Sequence, residues 1–476
     1  MTLSGVRIGA LALVLLALGL LLYRRRAATE ALRRFFFEPQ APTNLGFLRI
    51  ALFGGLAWVS SQTSAVWWAS VPRDLRFMPH GWIWLKDILP LDASLASAAQ
   101  YVVVIASLCA ALGLLTRITA PIAALVAVYL LGVPSFFGKI LHMDHALVLM
   151  SLVIAASPCG DALSLDRAWQ ARRGQPVPGP STAYTLPIRL AWLLLGSIYL
   201  FPGIWKVWNN GDLWLNGQRL LWELYDEWGQ RKDFDPPMRI DQHPWLLQAF
   251  GAATLIFEVG IFFAIFNRYT RIAAAFAAMG FHIGVRLFLG IKFYEYVPLV
   301  LLIDFPTFGA YKTAAPQVRS FIASAAVGCT LLAGQFYVGL AQIDTWPVAL
   351  HPKFDERSGG KTTASNHQLI LHSAEGDPID LGRSLVKVGA MNGFMRLFLN
   401  VDRDVARGIP RQARSRALVQ VLRDAGIELH EGNTLSLYTT RWNVFPLGER
   451  SGLRKSLKRR YAVTDDGGLE VVSRKN

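Results

Sequence analysis

Repeated apolar segments of about 20 residues are the strongest constraint on this 476-residue chain. Such a segment is long enough to cross a bilayer as a helix. Hydrophobic side chains make up 53% of the sequence and charged ones only 17%, against about 25% charged in soluble domains. The sequence therefore predicts an all-α polytopic membrane helix bundle of about ten spans. The predicted spans are residues 5–22, 45–66, 98–115, 118–137, 141–157, 187–206, 246–266, 272–291, 293–309 and 319–341.

The net charge of +15 does not indicate nucleic-acid binding, because the arginine clusters lie between apolar segments, where they orient membrane spans. Cations fall on alternate connections, which we predict to be cytoplasmic. The opposite connections, such as 72–97 and 207–245, carry fewer cations or more aromatic residues. The N-terminus and, after ten spans, the C-terminal tail are then outside the cell membrane. The cation-rich connections are 24–34, 117, 167–173, 268–271 and 312–319.

Three regions follow from this pattern. Residues 1–34 form an anchoring span and a basic cytoplasmic segment, because no cleavage site follows the first apolar run. Residues 35–343 form the polytopic domain. Residues 344–476 are polar, with a helical run near Ala413–Ala425 and strand-like runs at Thr434–Phe445 and Leu469–Ser473. The tail is therefore predicted to be a small extracytoplasmic α+β domain.

Ionisable residues inside apolar spans are costly and indicate function. Lys206 ends its span on the predicted outer side, and Asp144 and His145 begin theirs on that side. His282 lies about two turns from the outer boundary of its span, with Arg286 one turn along the same face. We predict that these residues share one pocket, with Lys206 and His145 within about 6 Å for proton transfer. Asp144 is expected to cap or orient His145.

Each of these residues also has a structural interpretation. Lys206 reaches the membrane surface, His145 begins a helix, and Arg286 pairs with Glu258 as a link between helices. In the functional interpretation, apolar walls disfavour the ammonium form of Lys206, so that the neutral amine serves as a base. A neutral imidazole beside it stabilises an oxyanion. The sequence has no phosphate-binding loop and no metal-ligand cluster, and its three cysteines form no CxxC pair. A lipid-soluble organic substrate fits these residues better than a nucleotide.

An ordered series of short motifs resembles the vitamin K-dependent gamma-carboxylase-like, or HTTM, membrane family over about residues 40–310. Glu258 and His282 lie where later spans of that family carry such residues. The motifs are Leu48-Arg49-Ile50, Asp144-His145-Ala146-Leu147-Val148-Leu149, Ser157-Pro158-Cys159-Gly160, Ser164-Leu165-Asp166, Arg189, Tyr199-Leu200-Phe201-Pro202-Gly203-Ile204-Trp205-Lys206 and Trp214-Leu215-Asn216-Gly217.

The resemblance implies a quinol-dependent carboxylase, a lyase, or an epoxidase. Lys206 matches the base that deprotonates the reduced quinone, and His145 matches the histidine that assists it. Oxygenation of the quinol then gives the strong base that removes a glutamate γ-proton before carbon dioxide adds. His282 and Arg286, on one face of their span and at a similar depth to Lys206, are candidates for quinone binding. The chain departs from the family's paired lysines, because Trp205 precedes a single Lys206.

Two hypotheses follow for this multi-pass protein of the cell membrane. In the first, it is an enzyme that uses a reduced quinone and acts at the outer side, on a protein or peptide substrate. In the second, it is not catalytic, its tail binds a partner, and its intramembrane polar residues link helices. A transporter is a weaker hypothesis, because the sequence shows neither repeated halves nor paired broken helices. Membrane lipid is a partner in each case, and nucleic acid in none.

Overall fold

The computed structural model is mostly helical, with a small C-terminal sheet. The predicted span 293–309 lies almost wholly outside the residues that the structure describes. Those residues are 2–76, 78–79, 82, 88, 90–137, 140, 142–176, 178–230, 236–291, 302, 318–350, 363–373, 376–381, 411–424, 426–443 and 454–474.

We number the helices in chain order. Short 3-10 turns lie at Arg73–Leu75, Val133–Phe136 and Ile240–Gln242. The helices are α1 (Leu3–Tyr23), α2 (Arg25–Phe37), α3 (Thr43–Ser61), α4 (Ala65–Ser70), α5 (Ala93–Leu112), α6 (Thr116–Gly132), α7 (His145–Ala155), α8 (Leu165–Arg172), α9 (Thr182–Leu215), α10 (Gln218–Gln230), α11 (Pro244–Ala264), α12 (Arg268–Leu289), α13 (Val318–Ala341) and α14 (Arg411–Asp424).

Seven helices within the described residues are long and apolar enough to span a membrane, so the predicted count of about ten spans is not confirmed. Helix α3 has 19 residues, but its glycine, serine and polar residues dilute its apolar character, and it is not among the seven. Helix α7 has only 11 residues, too few to cross a bilayer. The seven helices make the chain a multi-pass membrane protein. They are α1, α5, α6, α9, α11, α12 and α13.

Helix α9 is the central element of the bundle. Ser181 caps its N-terminus by accepting a hydrogen bond from the backbone N–H of Ala183. Of its most apolar 18-residue stretch, 83% is buried, against 6% for α1. Helices α7, α11 and α13 pack around it, and α1 crosses its C-terminal part. A polar side chain on α9 therefore faces protein rather than lipid.

Several of the short motifs meet at the end of the bundle where α9 begins. Buried Arg49 of α3 donates hydrogen bonds to the carbonyl oxygens of Cys159 at 2.8 Å and Ala162 at 3.1 Å. Asp166 accepts from the backbone N–H groups of Leu115 and Thr116. These contacts fix the connection after α7 against α3 and the start of α6. We call this region the Arg49 end.

The opposite region, where α9 finishes, is the Lys206 end. Arg7, near the N-terminus of α1, donates to the carbonyl oxygen of Trp208 at 2.7 Å. The N-terminus therefore lies at the Lys206 end, together with the connection 207–245. The cation-rich segments that include Arg117 and Arg167 lie at the Arg49 end, beside Asp166. The side of the membrane on which each end lies stays a prediction.

The C-terminal tail contains an antiparallel sheet. Its strands are β1 (Thr363–His372), β2 (Ile379–Asp380), β3 (Thr434–Asn443), β4 (Arg454–Val463) and β5 (Leu469–Arg474). Their order in the sheet is β2–β1–β3–β4–β5, and β1 pairs with β3 along its full length. Helix α14 packs on β5 and on the turn Arg73–Leu75, while β1 packs on α10. The described part of the tail thus lies beside this turn and α10, which belong to connections predicted to be outside.

The helical and strand-like runs predicted for the tail correspond to α14, β3 and β5. Strands β1 and β4 were missed, because their mixed polar and basic residues hide the alternation. Buried residues of the bundle and of the tail belong to one hydrophobic core, which includes Leu75, Leu418 and Leu437. The region boundaries at residues 34 and 343 stay predictions.

Candidate functional site

Lys206 is buried in the bundle and pairs with Glu258 of α11. Its side chain is 4% exposed and that of Glu258 is 7% exposed, so Lys206 does not reach out to the membrane surface. The ammonium nitrogen also lies 5.3 Å from the ring centre of Trp214, within cation–π distance. The site is therefore a desolvated charge pair with an aromatic side wall.

A close approach of two helices makes this pair possible. Gly203 of α9 lies against α11 so tightly that a Cβ atom added there would be 2.9 Å from Cβ of Glu258 and 2.9 Å from Cγ2 of Val259. Lys206 follows Gly203 by one turn and so lies on the same face of α9. Within the described part of the chain, the second carboxylate oxygen of Glu258, Oε2, is buried and has no hydrogen-bond partner.

The same face of α9 carries a second polar contact. The hydroxyl of Tyr199 lies 2.7 Å from Nε2 of His282 on α12, and both side chains are buried. Tyr199 precedes Lys206 by two helical turns, about 10 Å along the axis. His282 on α12 and the Lys206 side chain therefore lie along the same face of α9 but at different depths in the bundle. Tyr199 was not among the predicted site residues, although the motif that ends in Lys206 contains it.

Arg286 does not make the expected ion pair with Glu258. It lies on an exposed part of α12, whereas the described partner of Glu258 is Lys206. Arg286 follows His282 by one helical turn, but the buried face of α12 ends at His282 and resumes only at Leu289. Arg286 therefore lies outside the part of the helix that faces Glu258. The roles of His282 and Arg286 in quinone binding stay predictions.

His145 lies in a buried aromatic cluster near the beginning of α7. Its ring centre is 5.4 Å from that of His142 and 4.6 Å from that of Trp346. Nε2 of His142 lies 3.7 Å from Oδ1 of Asp344, and burial raises the pKa of this carboxyl to about 7. Asp144 occupies the N-cap position of α7 but makes no capping hydrogen bond with its side chain, contrary to expectation.

The His145 cluster and the Lys206 pair lie at the same end of the bundle. The indole of Trp205, next to Lys206, donates to the carbonyl oxygen of Gly339 near the end of α13. The chain after α13 then leads to Asp344 and Trp346 in the His145 cluster. A separation of about 6 Å between Lys206 and His145 stays a prediction.

Helix α10 adds a buried ion pair that the sequence reasoning missed. Arg219 and Glu223, one turn apart, contact each other with side chains 5% and 3% exposed. Burial raises the pKa of Glu223 to about 8, with Arg219 and Lys206 opposing the rise. Their i,i+4 spacing in an amphipathic helix beside Lys206 was the signal, although such pairs are usually solvated.

The described residues contain no group of three His, Cys, Asp or Glu side chains that could hold a metal ion. The three cysteines Cys109, Cys159 and Cys329 are free thiols.

Comparison with known protein families matches residues 37–308 to the HTTM domain. The matched segment contains Lys206, Glu258, His145, His282 and Glu223, and it stops before the C-terminal tail. Comparisons with curated proteins and with solved structures give no match. Because the match covers more than half of the chain, this protein belongs to the HTTM-domain family, the domain of vitamin K-dependent gamma-carboxylase-like proteins.

Proposed function

We propose that this protein is an integral membrane enzyme that acts on a reduced quinone, with Lys206 as the base that removes a hydroxyl proton. By family resemblance, the reaction is a carboxylase-like or epoxidase reaction at the outer side of the cell membrane. The observation that carries the proposal is the buried pair of Lys206 and Glu258. Removing two charges from water costs several kcal/mol per ion, so a purely structural contact between these helices would be served better by apolar side chains.

The pair can supply a base without losing charge balance. When the proton of the Lys206 ammonium moves to the Glu258 carboxylate, an N–H bond breaks, an O–H bond forms, and both groups become neutral. The neutral form of the pair is favoured by burial, because burial penalises charge. The free amine of Lys206 then takes the proton of a substrate hydroxyl, leaving an oxyanion beside the new ammonium.

The surroundings of the pair favour an aromatic, lipid-soluble hydroxyl compound. The Trp214 ring offers a stacking face, and the buried Oε2 of Glu258 can accept a hydrogen bond from a hydroxyl. The outer surface of α11 is apolar and faces lipid, since Ile256 there is 73% exposed. A reduced quinone has these properties: two aromatic hydroxyls and an apolar body. The reaction partner on the outer side is proposed to be a protein or peptide carboxylate, as the family resemblance implies.

A second, non-catalytic function is favoured because Lys206 and His282 each have a polar partner on another helix. Glu258 neutralises Lys206, and Tyr199 partners His282, so each of these polar groups also links two helices. In this alternative, the polar residues hold the bundle together, and the tail, which packs on α10, binds a protein partner. The enzyme needs the amine of Lys206 for turnover even when the buried charge of the site is balanced in another way. In the alternative function, Lys206 is not needed once that charge is balanced.

The proposed enzyme is tested by turnover of a reduced quinone by the purified protein in lipid nanodiscs, with epoxide formation followed by chromatography and mass spectrometry. We expect turnover by the natural protein and a loss of about 10²–10⁴-fold in Lys206→Met, the range expected for removal of a general base. Lys455→Met, at an exposed lysine of the tail, is the matched control and should retain full turnover. Equal rates in Lys206→Met and Lys455→Met would leave the partner-binding function.

A further inference from the structure

The buried pair on α10 has no role in the function described so far. Helix α10 does not span the membrane, and its apolar face, with Leu221 and Leu224, packs against Leu247 and Leu289. On such a helix, charged side chains are normally solvated. Arg219 and Glu223 are instead buried, at a cost that apolar residues of similar size would avoid.

Helix α10 packs on α9 and on α11, the two helices that carry Lys206 and Glu258. The charge of Lys206 acts on the Glu223 carboxyl, as do the charges of Arg219, Asp226 and Glu227 on the same helix. Asp226 and Glu227 follow within one turn and are only half-buried. Two buried charge pairs, Lys206 with Glu258 and Arg219 with Glu223, thus lie on helices that contact each other, and a half-buried acidic turn follows Glu223.

We infer that Glu223 is the proton relay of this site, which takes the proton from Lys206 and passes it to the aqueous side of α10. In this step an N–H bond of the Lys206 ammonium breaks and the O–H bond of Glu223 forms. The proton then leaves to water at the turn that carries Asp226 and Glu227. Lys206 returns to the neutral amine, ready for the next hydroxyl. Arg219 holds the carboxyl in place, so that it is a positioning residue.

The inference rests on the proposed function, but its first test needs no turnover. A short pulse of acetic anhydride acetylates neutral amines, and peptide mass spectrometry measures the acetylated fraction of Lys206 at each pH. We expect Glu223→Gln to shift the midpoint of Lys206 acetylation to lower pH by about one unit, because a neutral amide no longer stabilises the ammonium. The exposed Lys455 in the same sample should show an unchanged profile.

Glu470→Gln is the matched control, because it makes the same substitution at an exposed acid of the tail. It should leave the acetylation midpoint of Lys206 where it is. An unchanged midpoint in Glu223→Gln, or an equal shift in Glu470→Gln, would overturn the assignment of Glu223. Glu223→Asp retains an acid and should restore most of the natural midpoint, and size-exclusion profiles check that each variant is folded.

Kinetics then separate this inference from the proposed function. A relay must be ionised to accept a proton, and the Glu223 pKa of about 8 predicts that kcat falls as the pH drops below about 8. Glu223→Gln should lose this acid limb together with most of kcat, and Glu223→Asp should recover both. If the natural protein turns over no reduced quinone, the proposed function fails, while the acetylation profile still decides whether Glu223 is coupled to Lys206. An unchanged acid limb in an active Glu223→Gln variant contradicts the relay.

Discussion

At the scale of single residues, a buried lysine is stable only when its charge is matched, and Glu258 provides the match for Lys206. Removing one partner leaves an unpaired buried charge. We therefore predict that Glu258→Leu lowers the free energy of unfolding by about 3–5 kcal/mol. The double variant Lys206→Met/Glu258→Leu should recover most of that loss, because it leaves no buried charge. Denaturant unfolding in detergent measures the cycle, and purely additive losses would contradict a direct pair.

Arg49 is a residue whose role is structural. It is buried and donates to the carbonyl oxygens of Cys159, Ala162 and Leu163. We predict that Arg49→Met lowers the unfolding free energy by about 3–5 kcal/mol, as for the loss of a buried charged partner. Arg117→Met, at an exposed arginine of the same end of the bundle, should change it by less than about 0.5 kcal/mol. Similar thermal unfolding of the two variants would rule out this role for Arg49.

Some residues of the candidate site could be predicted from the sequence, and others could not. Lys206 and His282 were identified because a charge in an apolar span is conspicuous. The predicted pairing of Glu258 with Arg286 was wrong. Which residue pairs with Glu258 depends on the rotation of α9, α11 and α12 about their axes. Helices that are apolar on all sides are only weakly amphipathic, so their sequences do not determine this rotation. Glu223 and Arg219 were missed for a related reason: only the tertiary packing of α10 buries them.

At the scale of secondary-structure elements, the spacing of α9 and α11 sets the geometry of the site. Gly203 permits their close approach, and a methyl group there would meet Glu258 and Val259 at 2.9 Å. We predict that Gly203→Ala separates the two helices, destabilises the protein by about 1–3 kcal/mol and impairs turnover. Gly260→Ala, on the partner helix α11 but with open space around its Cβ position, should be neutral or slightly stabilising. Equal behaviour of the two alanine variants would show that helix spacing does not matter.

Element lengths explain why the predicted count of about ten spans is not confirmed. The apolar stretch 141–157 was read as one span, yet helix α7 covers only His145–Ala155. Residues 156–160, which follow it, form turns, and Arg49 donates to the carbonyl oxygen of Cys159 among them. Hydropathy alone cannot distinguish a turn inside a protein from a helix in lipid. For α1, α5, α9 and α11 the prediction was right, because long apolar runs bounded by cations or polar residues leave few alternatives.

At the scale of the whole molecule, the tail and the Lys206 end lie on one side of the bundle. Helix α14 packs on the turn Arg73–Leu75, and β1 packs on α10. The cation-rich connections lie at the other end, which predicts that the tail is outside the cytoplasm. A phosphatase fused after Asn476 should be active and a fluorescent protein at the same position dark. Fusions after Arg173 should show the opposite pattern, and a cytoplasmic signal at Asn476 would reverse the topology.

The central claim is that Lys206 acts as a base and does more than link two helices. The double variant Lys206→Met/Glu258→Leu tests it most directly, because it removes the base while restoring the balance of buried charge. Its turnover of a reduced quinone is measured beside that of the natural protein, at matched amounts of folded protein. We predict unfolding close to that of the natural protein and turnover lowered by at least about 10²-fold. Natural turnover in the folded double variant would contradict it.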